Sequence, residues 1–312
     1  MSAFVVVNPR SGNGRTGRDW KAIERALSAI YPSMSVGFTR QRGEAAQLVR
    51  YALREGHLEI VAVGGDGTIN EAVNGMFDLD GSTPPDSVFA FLTSGTGGDF
   101  RKTFGIEAGI DGGIQRLKRA SIRAIDAGRV SCLTRAGEPT LRYFVNIASF
   151  GMSGAIVDAV NRARIAKLFG GSFAFAFHSA LGMLRYRNRA VRLIVDGVED
   201  EIASIATVAV ANGKYFGGGM QVAPGALVDD GYFDVVVMGG APKGQSLAEM
   251  RLIYSGEHIK KPHVRVLRGG HVVVAPVAET RGKPVLIETD GEAAGRLPAT
   301  FEILPRALNL RC

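Results

Sequence analysis

Cysteine is scarce in this chain: two thiols, Cys132 and Cys312, among 312 residues. Two cysteines cannot build a disulfide scaffold, so the fold must rest on a hydrophobic core, and a reducing, cytoplasmic setting is expected. Histidine is also rare, at five residues. His258 and His263, with Glu257 nearby, lack the spacing of a zinc site and read as solvated side chains in a basic loop. Long apolar runs are missing too. Ala3–Val7 is too short for a signal-peptide core and leads straight into Asn8-Pro9. The uncharged stretch Phe169–Leu184 falls short of the ~20 residues a membrane span needs, and it contains His178. No G-x-x-x-x-G-K-[ST] occurs and no His-Arg-Asp catalytic loop, which excludes P-loop NTPases and protein kinases. Negative charge is in deficit: 30 acidic against 37 basic side chains leave +7, which calls for an anionic partner such as nucleotide, nucleic acid or lipid headgroup.

What is present is a globular composition, 46% hydrophobic and 21% charged, long enough for two domains. Residues 1–128 alternate short apolar runs (Phe4–Val7, Val36–Thr39, Glu59–Val63, Val88–Leu92) with helical patterns at Trp20–Ile30 and from Glu44 to Gly56. That alternation predicts an α/β domain with a parallel sheet covered by helices. Residues 129–300 read as antiparallel β-sandwich, with strands at Val191–Val195, Ile202–Ala211, Asp234–Met238, His271–Pro276 and Val285–Thr289. Arg268-Gly269-Gly270 reads as a hairpin tip. Phe169–Leu184 reads as a helix with an aromatic face. The segment 301–312 either completes the second domain or returns to the first.

Glycine is abundant at 41 residues, and it concentrates after strands. The first apolar run leads into Asn8-Pro9-Arg10-Ser11-Gly12-Asn13-Gly14. The third leads into Gly64-Gly65-Asp66-Gly67-Thr68, and the fourth into Ser94-Gly95-Thr96-Gly97-Gly98-Asp99. Loops leaving the carboxyl ends of parallel strands open onto one crevice. Glycine there lets backbone N–H groups approach an anion. The second loop opens a helix, with Thr68 and Glu71 at capping-box spacing and Gly75 suited to its end. Three such loops predict a polyphosphate site. Gly12, Gly14 and Gly17 also satisfy G-x-G-x-x-G, but Phe38-Thr39-Arg40 stands where a dinucleotide fold needs an acid, so an NADP-dependent oxidoreductase using Arg40 is the weaker reading.

Asn8-Pro9-x-Ser11-Gly12, Gly64-Gly65-Asp66-Gly67-Thr68-Ile69-Asn70-Glu71 and Gly95-Thr96-Gly97-x-Asp99-Phe100 together resemble the diacylglycerol kinase catalytic domain, in its soluble bacterial form related to sphingosine kinases. Ile125-Asp126-Ala127-Gly128, Asn146, Gly217-Gly218-Gly219-Met220, Ala226-Leu227-x-x-Asp230-Gly231 and Asp290-Gly291-Glu292 continue the likeness over nearly the whole chain. Gly98 departs from it, standing where the family carries Asn.

The resemblance implies ATP- and Mg²⁺-dependent phosphoryl transfer to a lipid hydroxyl, in a cleft between the two domains. Asn8, Pro9, Arg10, Ser11, Gly12, Thr39, Gly64, Gly65, Asp66, Gly67, Thr68, Ile69, Asn70, Thr96 and Asp99 would bind the nucleotide. Asp290 would be the general base. Leu227 and Tyr232, through carbonyls, and Asp230, through its carboxylate, would hold a structural Mg²⁺. From the residues themselves, Asp66 is the carboxylate to reach a catalytic Mg²⁺. Glu292, two residues past Asp290, would share its face if that segment is extended.

The lipid is expected at the inner membrane surface, met through peripheral contact without a transmembrane segment. Phe169–Leu184 and the basic residues Lys260, Lys261, His263, Arg265 and Arg268 are the candidate contacts. Nucleic acid is not expected as a partner, and pairing of sheet edges allows a homodimer. NAD kinase, which shares Gly-Gly-Asp-Gly, is the alternative function, and a nucleotide sensor without turnover stands behind it.

Overall fold

The computed structural model describes residues 2–93, 98–107, 109–119, 121–162, 186–239, 249, 251–277 and 284–312. Phe169–Leu184 and Thr96 lie outside them. The chain divides into two compact units, Met1–Ala127 with Leu304–Cys312, and Gly128–Ile303.

The first unit runs β1 (Ala3–Val7), α1 (Arg15–Arg18), α2 (Trp20–Ser28), β2 (Met34–Phe38), α3 (Glu44–Arg54), β3 (Glu59–Gly64), α4 (Asp66–Met76), β4 (Val88–Thr93), α5 (Asp99–Thr103) and α6 (Ile110–Arg119). β1, β3 and β4 are buried along their whole length, as expected of parallel strands covered on both faces. All pairings are parallel. β1 lies between β2 and β3, and β3 between β1 and β4. Val5, Val7, Val61, Val63, Ala90 and Leu92 pack with Ile23 and Leu27 of α2 and Ile114 and Leu117 of α6. On the other face, Phe4 approaches Leu48 of α3 beside Gly37.

Gly75 stands in the last turn of α4, one residue before its end, and does not cap it. A Cβ there would stand 2.7 Å from both the Ala46 carbonyl oxygen and Val49 Cβ, so glycine is what lets α3 and α4 approach. Gly75→Ala is expected to cost about 1–3 kcal/mol through overpacking, measured by denaturant unfolding. Glu71 also departs from the capping-box expectation. Its carboxylate accepts the Gly43 and Ala45 N–H groups at 2.8 and 3.3 Å, capping α3 instead of its own helix.

The second unit begins within β5 (Ile122–Leu133) and continues through β6 (Pro139–Phe144), β7 (Ile147–Gly151), α7 (Met152–Arg162), β8 (Arg189–Val195), β9 (Glu199–Ile205), β10 (Thr207–Ala211), β11 (Phe233–Met238), β12 (Val264–Gly269), β13 (His271–Pro276) and β14 (Leu286–Thr289). β15 (Glu292–Arg311) starts here and ends in the first unit. Every pairing with a stated register inside this unit is antiparallel. Phe144, Phe150, Phe233 and Phe301 anchor its core among Val and Ile side chains.

Two strand expectations change. Ile202–Ala211 is two strands with a bend at Ala206: β9 pairs β8, whereas β10 pairs β7 and β11. Arg268-Gly269-Gly270 is no hairpin tip, because β12 pairs β11 while β13 pairs β8 and β15. At Gly269 a Cβ would fall 2.4 Å from Val195 Cγ1, so the chain turns there against a third strand.

Candidate active site

The ends of β1, β2, β3 and β4 are in register: Val7 pairs Phe38 and Val63, and Gly64 pairs Thr93. The loops that follow therefore leave from one edge of the sheet. Asn8 N–H donates to the Val63 carbonyl at 3.0 Å and Thr39 N–H to Val7 at 2.8 Å, which extends the ladder by one residue on each side. The Asn8 side-chain amide donates to Thr68 Oγ1 at 3.1 Å, and its Oδ1 accepts Arg10 N–H at 3.0 Å. Ser11 donates to the Asn8 carbonyl at 2.8 Å. Gly12, Asn13 and Gly14 all have positive φ, so the loop reverses through three left-handed residues before α1. α1 spans only four residues, and Gly17 packs on Pro9, where a Cβ would lie 2.9 Å from the carbonyl oxygen. A dinucleotide fold needs a full helix opening on that loop, so G-x-G-x-x-G is met here by spacing alone.

The second loop is tighter. A Cβ on Gly64 would fall 2.5 Å from Thr68 Oγ1. Gly65 is the extended N-cap of α4, and Asp66 is its first residue. Asp66 Oδ2 accepts Gly98 N–H at 2.8 Å, tying the β3 loop to the β4 loop. Its Oδ1 is buried and takes no hydrogen bond from the described residues. Burial, and then the Asp99 carboxylate, raise the Asp66 pKa above the ordinary carboxylate range. Asp99 opens α5 and pairs with Lys102 at 3.1 Å. A second acid and an unsatisfied buried oxygen suit a divalent cation at Asp66. Gly98 has φ 64°, the left-handed region that glycine and asparagine both tolerate. The side chains of Ile69 and Asn70 are buried, and the Asn74 side-chain amide donates to the Asn70 backbone carbonyl at 2.9 Å.

In the second unit, Asp290 and Gly291 have φ 49° and 83° and form the two-residue turn between β14 and β15. Asp290 Oδ1 accepts Asn146 and Ile147 N–H at 3.1 and 3.0 Å, and Oδ2 accepts Val145 N–H at 3.1 Å. Its own N–H donates to the Ile147 carbonyl at 2.9 Å. Asp290 thus sits in the turn that Asp-Gly favours while its carboxylate is held on three successive backbone donors. Glu292 is not on its face: the segment turns at Asp290, and Glu292 pairs with Thr289 across the hairpin.

Residues 2–130 match the diacylglycerol kinase catalytic domain, and residues 146–312 match the YegS C-terminal NAD kinase beta sandwich-like domain. The chain belongs to the diacylglycerol kinase family. A diacylglycerol kinase of Staphylococcus carnosus is 26% identical over 308 residues, 96% of this chain and 91% of the relative. One of Staphylococcus haemolyticus is 25% identical over 312 residues, 99% and 87% of the two chains. A crystal structure of a diacylglycerol kinase from Bacillus anthracis has a TM-score of 0.77 at 20% identity, covering 99% of this chain and 96% of that one. An NAD kinase from Archaeoglobus fulgidus in complex with ATP reaches 0.50 at 18% identity, covering 99% and 92%. At those identities the structural likeness is one of fold, and the α/β unit followed by a β-sandwich-like unit is what they share. As a member of this family, the protein is a kinase that transfers phosphate to an alcohol group. Among the described residues, no helix is long and apolar enough to cross a membrane.

The diacylglycerol kinase resemblance also implies a structural cation at Leu227, Asp230 and Tyr232. Of these donors, the Asp230 carboxylate already has partners within the protein. Asp230 Oδ1 accepts Tyr232 N–H at 3.1 Å, and its other oxygen is ion-paired with Arg268. The Arg268 guanidinium, 4.7 Å over the Tyr232 ring, already supplies the positive charge. In protein without nucleotide, Mn²⁺ titrated by electron paramagnetic resonance is expected to show no site that Asp230→Asn removes. One ion per chain, lost in that variant, would overturn this reading.

Arg268 is not alone. Lys260 pairs with Glu257, Lys261 with Glu249 and Arg265 with Glu201, and His263 Nε2 lies 3.0 Å from the Glu249 carboxylate. The basic segment expected to draw anionic headgroups is thus a row of ion pairs within its own unit. His258, expected in solvent, is 3% exposed and its Nε2 meets the Val222 carbonyl at 3.1 Å. Burial pushes its pKa below the usual histidine value. Among the described residues, no three His, Cys, Asp or Glu side chains group to hold a metal.

Two buried acids were given no role by the sequence, Asp126 standing only within the family likeness. Asp126 is fully buried and accepts Arg306 N–H at 2.7 Å, fixing the left-handed turn where β15 enters the first unit. Glu288, two residues before Asp290, is 2% exposed. A Glu in an otherwise apolar strand was its one visible signal.

Proposed function

We propose that the protein is an ATP- and Mg²⁺-dependent kinase that phosphorylates a lipid hydroxyl of the diacylglycerol class, working at the inner face of the cytoplasmic membrane through peripheral contact. The observation that carries this reading is Asp66: a buried carboxylate oxygen left without a partner, at the first residue of an eleven-residue helix, between the loops that follow β3 and β4. Backbone N–H groups of Gly65–Gly67 and the helix dipole favour a phosphate there. Asn8, Ser11 and Thr39 hold the neighbouring loops in place by the bonds given above.

Mg²⁺ held by Asp66, directly or through water with Asp99 nearby, would neutralise phosphate charge as the phosphoryl group moves. Asp290 takes the proton from the attacking lipid hydroxyl. Its backbone donors orient the carboxylate. The acceptor is then phosphorylated at oxygen, and the proton leaves from Asp290 to water after product release.

The test is transfer from γ-labelled ATP with Mg²⁺ to a panel of diacylglycerol, phosphatidylglycerol, sphingoid bases, polyprenols and NAD. Label in the organic-phase diacylglycerol product is the expected outcome. Label in NADP instead would replace this reading with the NAD kinase one, and label in no product would leave a nucleotide-binding protein without turnover.

A further inference from the structure

The hairpin that carries Asp290 holds a second carboxylate which the reaction above does not use. Glu288 lies near the end of β14, where the register with β15 shifts between Ile287 and Glu288. Such an irregularity re-aims the side chains beside it. Gly291 N–H donates to Glu288 Oε2 at 2.7 Å, and the Ser149 hydroxyl donates to Oε1. Ser149 and Ser153 oxygens are 2.7 Å apart. A hydroxyl carries one proton, so with Ser149 donating to Glu288 the Ser153 hydroxyl donates to Ser149. Glu288 therefore joins three segments: the Asp290-Gly291 turn, β7, and the first turn of α7.

We infer that Glu288 is the positioning residue for Asp290. Asp290 holds φ 49°, a left-handed conformation that a side chain adopts less readily than glycine, so bonds from outside the turn help to keep it there. One support is the row of donors at Val145–Ile147 under its carboxylate. The other is the bond from Gly291, the next residue, into Glu288. Both act through the chain entering β7: Val145–Ile147 hold Asp290, and Ser149, two residues on, holds Glu288. Removing the acceptor for Gly291 frees the turn to relax, and a displacement of ~1 Å at a reacting group can lower a rate by about 10²-fold. Glu292, the acid the bare sequence points to, is on the far side of the turn.

This inference rests on Asp290 being the base, and the variants separate the two. Glu288→Gln keeps an oxygen for Gly291, and Ser149 can turn to accept from the amide. Glu288→Asp keeps the charge but is one methylene too short to reach both partners. With the lipid that the transfer assay identifies, E288Q is expected within ~3-fold of wild-type kcat, and E288D about 10–100-fold below it. KM for ATP stays within twofold in both, and the acid limb of the pH–kcat profile keeps its position in E288Q. The reverse order, with E288D active and E288Q impaired, would show that the charge matters and overturn the positioning role. Full activity of both would also overturn it. If Asp290→Asn retains wild-type turnover, the base reading itself fails, whatever Glu288 does. Circular dichroism and melting of each variant confirm that the folded enzyme is being compared.

Discussion

Asp290→Asn is expected to lower turnover by about 10²–10⁴-fold, the usual contribution of a positioned base. Asparagine has nearly the same shape and cannot take the proton. Its single carbonyl oxygen can still accept from Asn146 and Ile147, as Oδ1 does now. Its amide would then face the Val145 N–H that Oδ2 accepts, putting two donors together in a part-buried site. That mismatch costs about 1–3 kcal/mol of stability in the second unit. Activity must therefore be read well below the variant's melting temperature. ATP affinity, measured separately with a fluorescent nucleotide, should hold within twofold, because the proposed nucleotide contacts all come from other loops. A variant within tenfold of wild-type turnover would remove Asp290 from the chemistry and leave it as a turn residue with a structural bond set.

Arg311→Ala is expected to destabilise the first unit by about 3–5 kcal/mol. Glu59 is 3% exposed at the start of β3. Arg311 grips it with Nε and one terminal nitrogen at 2.5 and 2.8 Å, and the Tyr31 hydroxyl donates to it at 2.6 Å. Burial, then the bond to Glu59, push the Tyr31 pKa up, so the phenol stays protonated and keeps donating. Without Arg311 a buried carboxylate has lost its counter-charge, which is the costly case. Replacing both partners, Glu59→Met with Arg311→Met, should regain most of the loss, since no charge is then stranded. Denaturant unfolding of the two single variants and the double variant measures this directly. A loss under 1 kcal/mol for Arg311→Ala would mean that water reaches Glu59.

The contrast between these sites explains what was legible in the sequence. β1, β3 and β4 could be read because burial on both faces leaves unbroken apolar runs. The loops after them could be read because glycine there answers to local geometry, as at Gly64 against Thr68. Glu59 could not, because its partner is 252 residues away. Glu71 looked like a cap for its own helix, yet its acceptors serve a helix 26 to 28 residues earlier. Asp290 and Glu292 appeared to share a face only while the segment was taken as extended; two left-handed residues reverse it. Local signals survive in a sequence, whereas pairings set by topology do not, and buried charge depends on pairings.

The return of β15 has a consequence for how the molecule is made. Asn309 and Leu310 add a parallel strand beside β4, and Arg311 closes on Glu59. Asn309 donates to the Ser87 carbonyl, and Cys312 N–H donates to Ser121. All of Gly128–Ile303 is translated before these residues exist. At about 5–20 residues per second, that interval is roughly ten to thirty seconds. During it the nascent first unit has an open sheet edge at β4 and a Glu59 carboxylate still without its Arg311 counter-charge. Its last strand arrives after the second unit, so this half cannot finish folding in the order in which it was synthesised.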